Sequence, residues 1–293
     1  MVRALVAARA LRRAGEGERY GRKKKEGDSG PRSSHFGQIA GFFSDEWVMV
    51  KQGMAAVVPA SVNKRIGRAM HDYGMLAAED RLLVAVSGGI DSLVLAWLLH
   101  VWQNKAPIRY TISAITIDHQ FWQGRDGALD PAISIGRQFE KLGIDYRVEH
   151  AWDLADEERT CFQCARNRRS QLFDYARRHG YNKIAFGHHK DDLVETLFLN
   201  LLYSGNISTM VPRQELFEGR LSLIRPMAYL EKAEVMAVGQ RLGLRPVANL
   251  CPLADNTRRE KVRTLLAAIY AGEPGAKRSI FAALANVRKG YLL

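Results

Sequence analysis

The 293-residue chain is 47% hydrophobic, enough to bury a sizeable core in one large or two modest domains. Its net charge of +12 points to a polyanionic partner, with nucleic acid ahead of an acidic membrane. The longest apolar run, Leu93 to Val101 broken by His100, excludes a membrane-spanning helix, and three cysteines without a secretory segment exclude a disulfide framework, so a soluble cytoplasmic protein is expected.

Residues 1 to 53 are Arg-rich and poor in apolar side chains until Phe42 and Trp47. They hold eleven Lys/Arg against six Asp/Glu, about +5 of the +12, so the remainder is basic without them. Glu16, Glu18, Glu26 and Asp28 argue against organelle targeting. A disordered basic extension is expected, or one translated from too early a start, with a nucleic-acid arm built on Arg22 to Lys25 as the other reading. From Ser61, Val62, Ile66, Met70 and Tyr73 recur on one face while Lys64, Arg65 and Arg68 fall elsewhere, the spacing of a basic amphipathic helix.

Leu82 to Val86 is an apolar, β-branched run that ends abruptly in Ser87-Gly88-Gly89-Ile90-Asp91-Ser92, and a second apolar run, Leu93 to Leu99, follows. This predicts a buried parallel strand, a tight turn and a buried helix. Gly88 and Gly89 let the backbone approach a phosphate, the first helical N–H groups lack intrahelical partners, and Ser87 and Ser92 add hydroxyl donors. The loop is not a Walker A motif, because no Gly-Lys-Ser/Thr ends it. A second strand, Tyr110 to Ile117, runs into Asp118-His119 at the edge where open parallel sheets bind ligands, so Asp118 either touches a nucleotide or caps the next turn. A helix over Pro131 to Leu142 and a strand over Asp145 to Val148 continue the βαβ rhythm.

Cys161-Phe162-Gln163-Cys164 is followed by Arg166, Arg168 and Arg169. A C-x-x-C pair in a cytosolic chain serves zinc, an iron–sulfur cluster or redox chemistry. Only Cys251 remains as a further thiolate, so zinc needs a histidine to complete its set, whereas three cysteines suit a cluster with one iron left open. Three unrelated buried thiols are the plain alternative. A helix from Ala165 to Arg178 is expected just after the pair, its N-terminus and arginines favouring thiolates.

Lys183 to Phe186 predicts a fourth strand running into Gly187-His188-His189-Lys190-Asp191-Asp192, then a helix with Leu193, Leu197, Asn200 and Leu201 on one face. That loop gathers two imidazoles, an ammonium and two carboxylates where a Mg-nucleotide would lie, although Asp191 also suits a helix N-cap. A fifth strand over Leu221 to Ile224 and a helix over Glu231 to Leu242 follow. Beyond Cys251, Val262, Leu265, Leu266 and Ile269 keep helical spacing, and Arg258, Arg259, Lys261 and Arg263 crowd its first turns. Cations there oppose the helix dipole; an external anion, RNA phosphate foremost, removes that conflict, and a solvated helix end is the plain alternative. The pattern as a whole is α/β, an open parallel sheet with helices on both faces.

Ser87 to Ser92, Cys161-x-x-Cys164, Gly187 to Asp192, Arg225-Pro226 and Cys251 together resemble the tRNA 2-thiocytidine synthetases and the related tRNA 2-thiouridine synthetases of the PP-loop ATP pyrophosphatase superfamily. The resemblance runs from about Val62 to Val287. It implies an ATP-binding domain over residues 54–250 that includes the basic helix and a cluster-binding insertion, and a basic helical segment over 251–293. It implies that ATP and Mg2+ bind at Ser87, Gly88, Gly89, Asp91, Ser92, Asp118, Gly187, His188 and Asp191, and that a tRNA pyrimidine oxygen is adenylated with release of pyrophosphate. It further implies that Cys161, Cys164 and Cys251 ligate a 4Fe-4S cluster whose fourth iron delivers hydrosulfide, and that Asp192, Arg168 and Asp91 act in catalysis. The partners implied are tRNA and a sulfur donor, a cysteine desulfurase or free sulfide, with no membrane and with homodimer formation left open. Two rivals remain: a cluster-free enzyme that passes persulfide sulfur to RNA or a small metabolite, and a non-catalytic RNA-binding sensor of nucleotide or cluster.

Overall fold

A computed structural model describes residues 57–121, 123, 130–154, 159–248, 250–251, 257–288 and 290. The basic extension expected over residues 1–53 lies outside them. Helix α1 (Ala60–Asp72) leads into β1 (Asp80–Ala85), α2 (Ile90–Gln103), β2 (Tyr110–Asp118), α3 (Pro131–Lys141), β3 (Tyr146–His150), α4 (Cys161–Arg178), β4 (Lys183–Ala185) and α5 (Lys190–Ser204). The strands β5 (Arg213–Leu216) and β6 (Leu221–Ile224) follow, then α6 (Lys232–Arg241), α7 (Arg258–Gly272) and α8 (Ala276–Ala283).

The strand order is β3-β2-β1-β4-β6-β5, parallel throughout except for β5 at one edge. The chain builds outward from β1 through β2 to β3, then returns to lay β4 on the other side of β1. That reversal opens a crevice at the carboxyl ends of β1 and β4, the place where sheets of this kind bind ligands. Val84 pairs with Ala185, so the loops that follow the two strands leave the sheet side by side.

Alternation along β1 divides the core. Leu82 and Val84 face a cluster built with Ile66 of α1, Leu95 of α2, Phe139 of α3 and Val235 of α6, while Leu83 faces Leu172 and Tyr175 of α4. Helices therefore cover both faces, as expected. Helix α2 is buried almost all round, which is why its sequence is apolar without periodicity. At the amino edge of the sheet the buried Lys183 ammonium donates to Asp80 Oδ2 at 2.5 Å and to the Met75 carbonyl at 2.8 Å.

Three local expectations are corrected. Helix α4 starts at Cys161, not Ala165, because Thr160 caps it through a 3.1 Å bond from Gln163 N to its hydroxyl. Helix α1 stops before Tyr73, which is exposed. Strand β5 has no apolar run to announce it, since Gln214 and Glu215 at its centre face solvent.

Candidate active site

Gly88 sits at φ +80°, and a Cβ there would lie 2.1 Å from Val247 Cγ2, so the turn admits only glycine. Gly88 also accepts a 3.0 Å bond from Val247 N, which closes the segment after α6 over the loop. Gly89 is the N-cap of α2 and offers no capping side chain, leaving the first N–H groups of that helix open to an anion. The Ser92 hydroxyl is committed inside the loop: it donates to Gly89 O at 2.8 Å and accepts from Ser87 N at 3.2 Å. It therefore shapes the loop instead of serving as the open donor expected from the sequence.

The second loop is fitted to the first by another glycine. A Cβ on Gly187 would stand 2.9 Å from the Asp91 carbonyl carbon and 3.0 Å from Ser92 N. Helix α5 is capped at His189, not Asp191: Asp192 at the third helical position reaches back to accept from His189 N at 3.0 Å. The buried His189 imidazole bridges the two loops, its Nε2 lying 3.3 Å from Asp192 Oδ2 and 3.8 Å from Asp91 Oδ1.

Each carboxylate of the site meets a cation. Lys232, at the start of α6, donates to both oxygens of Asp91 at 2.7 and 2.6 Å, and its backbone N donates to Asp191 Oδ2 at 2.9 Å. Lys277 of α8 stands 2.6 Å from Asp191 Oδ1 and 3.1 Å from Glu231. Burial alone would raise the Asp191 carboxyl, but the His189, Lys277 and Lys232 contacts outweigh it and hold the group well below the usual carboxylate range. His188 goes the other way: burial first, then Arg225, Arg259, His189 and Arg169, push it down to about 3. It is neutral at physiological pH, and its Nδ1 accepts from Arg225 Nε at 3.3 Å.

Ser87, Asp91, Ser92, Gly187, His188 and Asp192 share one cavity of about 850 Å3, whose far wall carries Arg168 and Arg169 from α4. Asp118 does not join them. Its Oδ1 accepts from Gln120 N at 2.8 Å, the turn-capping alternative, and it lines a separate hollow of about 130 Å3 with His119 and Cys164. Cys161 is exposed and Cys164 and Cys251 are half-buried, all three as thiols. Burial pushes the Cys164 thiol up, the nearby Cys251 and Cys161 thiols push it further, and Arg159 and Arg168 oppose them. The pair from α4 and the cysteine some ninety residues later thus come within electrostatic reach of one another. Among the described residues no three His, Cys, Asp or Glu side chains are set around a single metal ion.

The crowded cations of α7 find internal acids. Arg263 Nε donates to the buried Glu195 at 2.8 Å, Arg258 lies 4.9 Å over the Tyr203 ring, and Arg259 faces Asp192 and Glu195. The conflict with the helix dipole is relieved from α5, and no external anion is required for it. Lys232 carries no signal in the sequence and Arg259 only its place in the basic cluster, because their acidic partners lie far away along the chain.

A PP-loop domain model matches residues 59–268. The tRNA-cytidine(32) 2-sulfurtransferase of Dechloromonas aromatica is 37% identical over 237 residues, covering 78% of this chain and 80% of that protein. The protein of that name in Geobacter metallireducens is 34% identical over 241 residues, covering 79% and 91%. The chain belongs to the tRNA 2-thiocytidine synthetase-like family of PP-loop enzymes. The U34-tRNA thiolase NcsA from Methanococcus maripaludis, solved with its 4Fe-4S cluster, shares the fold at TM-score 0.63 and 22% identity, over 78% of this chain and 80% of that one. For a 2-thiocytidine synthetase-like protein the glycine loop, the His188 to Asp192 loop and the arginines of α4 open on the same space. No described helix is long and apolar enough to cross a membrane.

Proposed function

We propose that the protein replaces the 2-oxygen of a tRNA cytidine with sulfur in an ATP-dependent reaction that releases pyrophosphate and AMP. One observation carries this reading: a single cavity is lined by Ser87, Asp91 and Ser92 of the glycine loop, by Asp192 beside them and by Arg168 of α4. The α2 N-terminus and the turn at Gly88 receive the nucleotide phosphates through backbone N–H groups. Mg2+ would accompany those phosphates and neutralise their charge, and Asp91, on the first turn of α2, is the carboxylate that would hold it. The pyrimidine O2 bonds to the α-phosphorus as the bond to the β-phosphate breaks, with the electron pair leaving on pyrophosphate. Hydrosulfide then bonds to C2, AMP departs with the C2–O electron pair, and the hydrosulfide proton passes to solvent. Asp192, fixed by His189, faces the base from one side, and the Arg168 guanidinium faces the charge that develops on it from the other.

Cys161, Cys164 and Cys251 fit a 4Fe-4S cluster as three uncross-linked cysteines, with Cys164 within electrostatic reach of the other two. Such a cluster supplies an iron without a protein thiolate, which can bind sulfide. The likeness to 2-sulfurtransferases over most of both chains favours cytidine over uridine.

Nucleoside mass spectrometry of tRNA from a strain lacking the gene tests the reading. Loss of 2-thiocytidine, restored by the intact gene and not by an Asp192→Asn copy, is expected. An unchanged spectrum would remove tRNA as the substrate.

A further inference from the structure

Arg168, Arg169, Arg225 and Arg259 all line the large cavity, but they are held differently. Arg225 is committed to the protein, donating to His188 Nδ1 at 3.3 Å and to the Val211 carbonyl at 2.5 Å. Arg259, from the first turn of α7, stands 3.7 Å from Asp192 Oδ1 and 3.8 Å from Glu195 Oε2, both beyond hydrogen-bonding distance. Arg263 takes the other oxygen of Glu195 at 2.8 Å. Charge thus places the Arg259 guanidinium while its N–H donors stay unspent among the described residues. Arginine carries five such donors in a planar fork that matches phosphate.

A chain of contacts ties it to the glycine loop. From Arg259 the contacts lead to Asp192, from Asp192 to His189 Nε2 at 3.3 Å, and from His189 to Asp91 at 3.8 Å, on the first turn of the glycine-loop helix. The neighbouring Thr196 Oγ1, on the same cavity wall, also has no hydrogen-bond partner.

We propose that Arg259 is a catalytic residue of the adenylation step, binding the α-phosphate of ATP as negative charge gathers on its non-bridging oxygens. This rests on the reading of the site as an ATP-dependent thiolase. The cytidine O2 forms its bond to the α-phosphorus while the bond to the β-phosphate breaks, the electron pair leaves on pyrophosphate, and no proton or oxidant is needed from Arg259. The C-terminal helix α7 thereby supplies in the same chain a charge of the kind that other phosphoryl-transfer enzymes receive from an arginine finger.

The test is tRNA-dependent pyrophosphate release by the anaerobically prepared holoenzyme, with Arg259→Gln, Arg259→Lys and Arg258→Gln compared with the wild type. Arg259→Gln is expected to lower kcat by about 10²- to 10³-fold with little change in the KM for ATP or for tRNA. Arg259→Lys keeps the charge, loses the fork and should recover only part of the rate. Arg258→Gln, which loses only its contact with Tyr203, should leave the rate unchanged. A raised KM for tRNA at unchanged kcat would assign Arg259 to an RNA phosphate and overturn the proposal, as would an unaltered rate in Arg259→Gln. A wild-type enzyme that releases no pyrophosphate with tRNA would sink the thiolase reading itself. Thermal melts decide whether any lost rate reflects lost fold, in which case Arg259→Lys, with its ion contacts kept, is the deciding variant: full wild-type rate in it refutes the need for the guanidinium.

Discussion

Around the glycine loop, Ser92 closes its own turn, Gly187 seats one loop against the other, and Lys232, Arg259 and Lys277 face Asp91, Asp192 and Asp191. At the thiol site, Cys161 is exposed on the first turn of α4, Cys164 lines the separate small hollow, and Cys164 and Cys251 are half-buried. The first end is held by the protein's own core and hydrogen bonds. The second brings together two stretches of chain some ninety residues apart. A phosphate cradle can be rigid before its ligand arrives, because backbone N–H groups need only geometry. A set of thiols gains from staying open until something bridges it, because crowded thiolates repel.

The strongest way to break this contrast is at the thiol end. Cys161→Ala, Cys164→Ala and Cys251→Ala should each abolish bound iron and thiolation in anaerobically purified protein, while the exposed Cys161→Ala changes the stability of the iron-free protein by no more than about 0.5 kcal/mol. A single essential cysteine with iron retained would favour persulfide chemistry. Next in size is the core that supports the other end. Lys183→Met strands the buried Asp80 carboxylate at the amino edge of the sheet and should cost about 3–5 kcal/mol in urea unfolding, with the KM for ATP unchanged because the site lies at the opposite edge. A smaller cost is expected from Gly88→Ala, about 1–3 kcal/mol for strain at positive φ, and it should abolish nucleotide binding by calorimetry because the new Cβ drives into Val247.

The last effect is a slope against pH. His188 has a folded-state value pushed down to about 3 from the ordinary 6.5, so across that interval the unfolded chain takes up a proton that the folded protein refuses. Stability from this group is complete above about pH 6.5 and declines as pH falls toward 3, at about 1.4 kcal/mol per pH unit. Burial lowers His119 and His100 as well, so the wild-type slope exceeds one proton. Urea melts between about pH 4 and pH 6.5 should show His188→Asn losing one proton's share of that slope. An identical slope in wild type and variant would mean that His188 is solvated and charged in acid.

What the sequence made legible follows from how far each signal reaches along the chain. Apolar runs and glycine turns are local, so β1, α2, β6 and the loop at Ser87 to Ser92 could be read directly. Strand β5 could not, because it is held by backbone pairing with β6 and shows solvent the polar Gln214 and Glu215. Asp118 had two readings in the sequence, and the structure displays the turn-capping one, in which its Oδ1 accepts from Gln120 N. Lys232 and Arg259 find their acids across 141 and 67 residues of sequence, on helices that no periodicity could bring together. The arginines of α7 were conspicuous as a cluster, yet only the packing of α7 on α5 divides them into structural pairs and one open donor set.

The bond from Val247 N to Gly88 O carries a consequence for the order in which this protein becomes competent. The turn that defines the nucleotide cradle is finished by a residue synthesised some 160 positions later. On the ribosome, a chain that has emerged through β4 already has the strand, the turn and the helix that follow Leu82, but not the side chain that closes over them. Closure of the turn therefore waits for the segment that follows α6.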